Sequence, residues 1–131
     1  MKRFEASALT QMLVVSDIDV SRNWYVQVLD ATVQGEYGGT SVVLNLLGNW
    51  ILLVTEGGPD DGKPTVTLAP PQKPNRVSSQ LIFRVEDCAG LYKLLSERGA
   101  SFIAPPHARD GETRAFFRDP DGHLFEISEL T

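Results

Sequence analysis

The sequence is short of cysteine, of positive charge and of long apolar runs, and each shortage excludes a class of protein. The single cysteine, Cys88, leaves no partner for a disulfide within the chain, which fits a reducing compartment. Twelve Lys and Arg against 17 Asp and Glu give a net charge of −5, which argues against nucleic acid or an anionic membrane as a partner. No apolar run reaches membrane-spanning length, and the first residues, MKRFEASALTQ, lack the apolar core of a signal peptide. We therefore expect a cytoplasmic protein.

The 131 residues are enough for one domain, and the pattern of secondary structure repeats within it. Alternating and β-branched runs predict strands, and apolar residues at helical spacing predict helices. The first series is a strand at 9–15, a helix at 18–29 and strands at 32–37, 41–47 and 50–55. The second is a strand at 79–85, a helix from Asp87 to near Gly99 and strands at 101–104, 113–118 and 124–128. Each series reads β-α-β-β-β.

A connector rich in proline separates the two series. Residues 56–78 hold five of the eight prolines, so they favour an irregular segment over a packed element. The chain is thus predicted to contain one module at 1–55 and a second at 79–131. A single module would leave one face of its sheet bare, so the two are expected to pair.

Both predicted helices begin at an aspartate that can accept hydrogen bonds from the first turn. Asp17 precedes the first helix, whose predicted apolar face contains Val20, Trp24, Val28 and Leu29. Asp87 precedes the second, where the helix dipole could lower the pKa of Cys88.

The segment RDPDGHLFEIS, residues 118–128, combines a tight turn with a strand that carries one carboxylate. Asp119 to Gly122 is typical of a turn. In the strand that follows, Glu126 stands between Phe125 and Ile127, and successive side chains point to opposite faces. Glu126 therefore faces either solvent or a pocket.

Three segments resemble the vicinal oxygen chelate superfamily, which includes glyoxalase I, bleomycin-resistance proteins and extradiol dioxygenases. They are VSDIDVSRNWYVQVLDA (15–31), FRVEDCAGLYKLLSERGA (83–100) and RAFFRDPDGHLFEIS (114–128). The resemblance implies an α+β fold in which two βαβββ modules form a curled, half-open mixed β-sheet with helices on the outer face. It also implies a substrate on the concave face and a homodimer, in which modules are sometimes exchanged. Many members hold a divalent metal ion at four positions, one on the first and one on the fourth strand of each module.

The family's four metal positions fall on Thr10, Leu52, Gln80 and Glu126. Thr10 and Gln80 lie seven residues before the capping aspartates, and Leu52 and Glu126 lie four residues after the turn glycines. Only Gln80 and Glu126 carry a donor oxygen of the usual kind. A tightly held transition-metal ion generally wants at least three protein ligands. The expected cofactor is therefore none, with a divalent metal ion as the alternative.

Four sources could make up the shortfall of metal ligands: Gln11, His107, His123 and a partner subunit. Gln11 alternates with Leu13 and Val15, so it is expected to point toward the helix. His123 shares its face with Phe125, which favours the solvent or helix side. His107 follows two prolines in a predicted loop and is either an exposed residue or a group at the pocket rim that binds substrate.

Alternation also predicts which side chains line the concave face. These pocket residues are Thr10, Met12, Leu52, Gln80, Ile82 and Glu126. The first module's share is mainly apolar, which suits an organic ligand better than an ion. Without a metal, Gln80 is expected to hydrogen-bond Glu126. Arg84 is either an exposed ion-pairing residue or a contact for an anion, and the inward face of strand 113–118 stays undecided.

The sequence leaves three functions open. The first, which we favour, is a protein that binds a small hydrophobic molecule without metal. The second is a metal-dependent lyase, isomerase or dioxygenase with Gln80 and Glu126 as ligands. The third is an enzyme without metal that uses Glu126 as a base, although no second catalytic residue can be named.

Overall fold

The computed structural model describes residues 2–131, which form nine strands and two helices. The first module contains β1 (Thr10–Val14), α1 (Ile18–Leu29), β2 (Thr32–Tyr37), β3 (Ser41–Leu46) and β4 (Asn49–Val54). The second contains β5 (Leu81–Arg84), α2 (Cys88–Glu97), β6 (Ser101–Phe102), β7 (His107–Arg109), β8 (Glu112–Arg118) and β9 (Leu124–Leu130). The predicted α+β fold with two βαβββ units is confirmed.

The strands form two mixed sheets, one from each half of the chain. The first has the order β1-β4-β3-β2, and the second has the order β5-β9-β8-β6 with β7 also paired to β8. In each sheet the first strand runs parallel to the last, and the remaining pairs are antiparallel. β1 and β5 are therefore sheet edges. The sequence predicts a half-open sheet. Residues 2–131 form two sheets, which are separate at the edge strands β1 and β5 and do not close into a barrel.

Strand β7 was not predicted, because the sequence indicated a loop there. The second strand of the second module is broken into β6 and β7, both of which pair with β8. Pro105 and Pro106 lie in the break. Proline has no N–H to donate to a sheet, so the pairing stops before these two residues and resumes at His107.

Helix α1 has the predicted bounds, but its buried face differs from the predicted one. Asp17 caps the helix by accepting hydrogen bonds from the backbone N–H groups of residues 19 and 20. Its buried residues are Ile18, Ser21, Tyr25 and Val28. Val20, which was assigned to the apolar face, is exposed. It lies two residues from Ile18, about 200° around the helix, so the two cannot share a face.

An aromatic cluster fills the space between the second sheet and the helices. Phe125 on β9 stacks against Phe83 on β5 and Phe117 on β8, with ring centroids 5.9 and 5.3 Å apart. Phe117 also packs against Phe102 on β6, at 5.1 Å. Phe117 and Phe125 are fully buried. Because strands alternate, the neighbours of these residues along each strand point to the sheet face away from the helices, here called the open face.

The turn of residues 119–122 fastens the second module to the first. The Tyr25 hydroxyl on α1 donates a hydrogen bond to Asp119 Oδ2 at 2.6 Å, and both groups are buried. The backbone N–H of Ser16 donates to Asp121 Oδ1 at 3.0 Å. Burial raises the pKa of Asp119, against the effect of the hydrogen bond from Tyr25. Burial, together with the negative charge of Asp119, raises the pKa of Tyr25 well above its usual value. The contact is therefore a buried polar link between the two halves.

Candidate functional site

The carboxylate of Glu126 lies on the open face of the second sheet and is paired with Gln80. Glu126 is only 7 % exposed, and Gln80 Nε2 donates a hydrogen bond to its Oε1 at 3.3 Å. Gln80 immediately precedes β5, which runs parallel to β9 and so brings the two side chains together. The neighbours of Glu126 along β9, Phe125 and Ile127, are fully buried on the helix side. The hydrogen bond expected from the sequence is confirmed.

Apolar side chains lie on both sides of Glu126 across the sheet. Ile82 on β5 and Phe116 on β8 are its register partners. Ile82 is exposed, whereas Phe116 is half-buried. The register also answers which side of β8 lies on the open face: it is the side of Arg114, Phe116 and Arg118. The carboxylate of Glu126 therefore lies between two apolar side chains in a row that crosses the sheet.

The open face of the first sheet is mainly apolar. Met12 and Leu52 are register partners, and Thr10 is paired with Trp50. Met12 is 38 % exposed, so this surface is accessible. Gln11 alternates with these residues, and its side-chain nitrogen donates to the carbonyl oxygen of Met12 at 3.1 Å. Gln11 therefore does not join Gln80 and Glu126.

A cavity of about 350 Å³ lies between the edge strands β1 and β5. Thr10 and Ile82 are part of its wall, whereas Met12, Leu52, Gln80 and Glu126 are not among its lining residues. Consecutive residues of both strands line it, which shows that the strand edges face each other across the space. Its volume is at the small end of the range for ligand pockets.

The two histidines lie away from the Gln80–Glu126 pair. His107 is exposed on β7 and is the register partner of Arg114. His123 is half-buried, and its Nε2 lies 2.7 Å from the carbonyl oxygen of Val14 in the first module. The sequence placed His123 on the solvent or helix side. The structure instead makes it a second link between the modules.

The donor set at the family's metal positions does not fit a tightly held metal ion. Glu126 supplies one carboxylate, and Gln80 turns its amide nitrogen, which cannot coordinate, toward that carboxylate. Leu52 has no donor atom. Within residues 2–131 there is no group of three or more His, Cys, Asp or Glu side chains able to hold a metal. Two donors fall short of the three or more that such ions generally require.

A row of polar side chains crosses the open face next to Glu126, and the sequence did not reveal it. Arg84 on β5, Ser128 on β9, Arg114 on β8 and His107 on β7 are successive register partners. Glu112 binds both arginines: its Oε1 lies 2.6 Å from Arg84 Nη1 and its Oε2 lies 2.5 Å from Arg114 Nη2. Of the two roles left open for Arg84 by the sequence, the ion pair is observed. The available signal was the alternation in ETRAFFR, residues 112–118.

Both arginines stabilise the charged form of Glu112, and Glu112 stabilises that of Arg114. Hydrogen bonds from Arg114 and then Arg84 hold the pKa of Glu112 below its usual value. The hydrogen bond to Glu112 raises the pKa of Arg114, and the negative charge of Glu126 adds to this effect. The negative charge of Glu126 therefore also stabilises the charged form of Arg114.

Cys88 is a buried structural residue at the start of α2. Its backbone N–H donates to Glu129 Oε1 at 2.7 Å, and its Sγ lies 3.8 Å from the Ile127 carbonyl oxygen. Burial raises the pKa of the thiol, which is opposite to the lowering that the helix dipole suggested. The thiol is therefore poorly suited to act as a nucleophile.

Comparison with known proteins gives one family match and many structural matches. A family model described as "Glyoxalase/Bleomycin resistance protein/Dioxygenase superfamily" matches residues 8–127. No curated protein sequence matches the chain significantly. Among residues 2–131, the structure contains no helix long and apolar enough to cross a membrane.

Three solved structures illustrate the similarity. A glyoxalase/bleomycin resistance protein/dioxygenase from Nocardioides has a TM-score of 0.80 and 18% identity, over 98% of this chain and 86% of that chain. An integron cassette protein from V. cholerae has a TM-score of 0.73 and 24% identity, over the whole of both chains. A mutant of the fosfomycin resistance protein FosX from Listeria monocytogenes, complexed with Mn(II) and 1S,2S-dihydroxypropylphosphonic acid, has a TM-score of 0.72 and 18% identity, over 97% and 93%. At these identities the similarity establishes the fold.

Proposed function

Because the chain belongs to the glyoxalase/bleomycin resistance protein/dioxygenase superfamily, we propose that it binds a small organic molecule on the open face without a tightly bound metal ion. The observation that carries the proposal is the Gln80–Glu126 pair, a nearly buried carboxylate anchored at 3.3 Å on a sheet face that elsewhere carries exposed apolar residues. Ligand sites commonly combine an apolar lining with a few such fixed polar groups.

Each half of the open face has a separate role in this proposal. Met12 and Leu52 supply apolar contact area, and Glu126 accepts a hydrogen bond from a hydroxyl or amine of the ligand. Gln80 holds the carboxylate in place and can donate or accept a further hydrogen bond through its remaining amide atoms. A role for Glu126 as a base would require a second catalytic group near it. Binding is therefore the function that the residues support best.

The proposal is tested by ligand screening with a matched pair of surface variants. Met12→Gln makes the open face polar, and Val26→Gln makes the same change on helix α1, where the side chain is similarly exposed at 41 % against 38 %. A bound small molecule should raise the melting temperature of the native protein and of Val26→Gln. In Met12→Gln the shift should fall by more than half. Equal shifts in both variants would place the ligand elsewhere.

A metal arm of the same experiment addresses the metal-dependent alternative. Native protein and Glu126→Gln are exposed to Mn(II), dialysed and analysed for metal content. We expect neither to retain stoichiometric manganese, because the chain supplies two donors at the site. Retention by the native protein and loss in Glu126→Gln would favour a metal-dependent lyase, isomerase or dioxygenase and overturn the proposal.

We further propose that the protein is a cytoplasmic homodimer. Met12, Tyr37, Trp50 and Ile82 are large apolar residues exposed on the open faces of a single chain. A second copy would cover part of this surface and complete the ligand pocket. The buried free thiol of Cys88 supports the cytoplasmic location.

A further inference from the structure

We propose that Arg84, Ser128 and Arg114 form an oxyanion subsite on the open face, and that the molecule bound there is a small organic anion, a carboxylate or a phosphonate. The inference rests on the proposed function and narrows its ligand class. It assigns a binding role to the row of residues that crosses the sheet at Ser128, two residues after Glu126 on β9.

The sheet register places the two arginines on either side of Ser128. Arg84 on β5 and Arg114 on β8 are both register partners of Ser128 on the central strand β9. Neighbouring strands lie about 4.8 Å apart, so the two guanidinium groups can close on one small anion from opposite sides. Arginine presents its donors in a planar fork that matches the oxygens of a carboxylate or a phosphonate.

Glu112 shows that the arginines already hold an oxyanion. Its two carboxylate oxygens are divided between them, one at 2.6 Å from Arg84 and the other at 2.5 Å from Arg114. A ligand anion that replaces this carboxylate keeps both guanidinium groups paired with an oxyanion, and the displaced Glu112 side chain then needs another cation. Arg109 is the register partner of Glu112 and is exposed, so it can take the carboxylate once it is displaced.

The side chain of Ser128 gives evidence for a ligand that is independent of the ion pairs of Glu112. It is fully buried on the open-face side of β9, and its Oγ is a buried side-chain atom with no hydrogen-bond partner among the described residues. Buried hydroxyl groups nearly always have a partner, and leaving one unpaired costs free energy. A bound anion would give this hydroxyl an acceptor between the two arginines.

The distance along β9 sets the size of the ligand. Ser128 and Glu126 are two residues apart on the same face, which corresponds to about 7 Å. The ligand should therefore carry its anionic group about 7 Å from the hydroxyl or amine that meets Glu126. Ile82 and Phe116 on either side of Glu126 favour an apolar or aromatic body between the two polar ends.

The test compares two anionic probes with a neutral one of the same size. Phenylacetate and phenylphosphonate are titrated against benzyl alcohol by NMR, with Arg84 and Arg114 side-chain signals as the readout. We expect both anions to shift these signals and to bind at least about tenfold more tightly than the alcohol. The stronger of the two anions identifies the class of headgroup.

Substitutions within this row of residues should change the affinity for the anion in opposite directions. Glu112→Gln removes the internal competitor and should tighten anion binding by about tenfold, whereas Ser128→Ala and Arg114→Gln should weaken it by a similar factor. Glu36→Gln is the matched control, because Glu36 forms an equivalent ion pair with Arg22 at 2.6 Å near α1 and should leave binding unchanged.

Failure of the subsite can be told apart from failure of the proposed function. If all three probes perturb Met12 and Leu52 equally and Glu112→Gln changes nothing, the oxyanion subsite is wrong and the open-face ligand site stands. If no probe perturbs the open face of the native protein or of Glu112→Gln, both are wrong. Because Glu112→Gln removes a charge and no core side chain, its result does not depend on whether Arg114→Gln folds.

Discussion

At the scale of single residues, the hydrogen bond between Tyr25 and Asp119 joins two buried side chains. Both side chains are buried, and each belongs to a different module. The Asp119 Oδ1 atom also accepts hydrogen bonds from the backbone N–H groups of Asp121 and His123, so one carboxylate organises its own turn and the link to α1. The stability of the molecule should therefore depend strongly on this hydroxyl.

Tyr25→Phe should lower the free energy of unfolding by about 2 kcal/mol, because a hydrogen bond to a charged group is lost and the carboxylate stays buried. Tyr37→Phe is the control, since Tyr37 is exposed and its substitution should change stability by less than about 0.5 kcal/mol. Urea denaturation near neutral pH measures both. Equal effects of the two substitutions would contradict the role given to Tyr25.

The Tyr25 contribution should also disappear in alkali. Burial and then the charge of Asp119 raise the pKa of folded Tyr25 well above its usual value, so the folded state keeps a proton that the unfolded state loses above about pH 10. The stabilisation is complete below that pH and declines as the pH rises. The difference in unfolding free energy between native protein and Tyr25→Phe should accordingly shrink above pH 10, whereas a constant difference would show that Tyr25 ionises normally.

At the scale of elements, the second sheet depends on the aromatic stack that joins its strands. Phe125 is the central member, in contact with Phe83 and Phe117 on the strands to either side. Phe125→Ala should destabilise the protein by about 3–5 kcal/mol, the range for loss of a buried phenyl group. Phe4→Ala serves as control because Phe4 is exposed. A loss below about 1 kcal/mol in Phe125→Ala would mean that the stack contributes little.

The elements themselves were largely predictable because their signals are local. The helix predicted at 18–29 matches α1, since a capping aspartate and the spacing of apolar residues lie within one segment. Strand β7 was missed because it exists only through its pairing with β8. The arginine row was missed for the same reason: it is assembled from separate strands by register, which a sequence pattern does not contain. The Gln80–Glu126 pair was found because the resemblance to the vicinal oxygen chelate superfamily assigned both residues to the family's metal positions.

At the scale of the whole molecule, the two modules share one hydrophobic core, in which Tyr25 of the first module packs against Phe125 of the second. The turn of residues 119–122 and His123 contact the first module, whereas β1 and β5 face each other across the cavity. The apolar open faces are left exposed in a single chain. This arrangement favours a second copy as the partner that covers them.

The proposed homodimer leads to a prediction about thermal stability. If a second copy covers the open faces, the melting temperature should rise with protein concentration across a roughly hundredfold range, because association stabilises the folded state by mass action. Met12→Gln should weaken this dependence, and Val26→Gln should preserve it. A melting temperature independent of concentration, together with a monomeric mass by light scattering, would contradict the dimer.

The positions of the two tryptophans give the protein a built-in optical readout. Trp24 is packed against Tyr25 and Phe125, with ring centroids 4.8 and 6.2 Å away, so its emission follows the integrity of the core. Trp50 lies at the wall of the cavity and is partly solvated. Replacing each tryptophan in turn by phenylalanine separates the two signals. The fluorescence of Trp50 then reports binding at the cavity between β1 and β5, and that of Trp24 reports unfolding of the core.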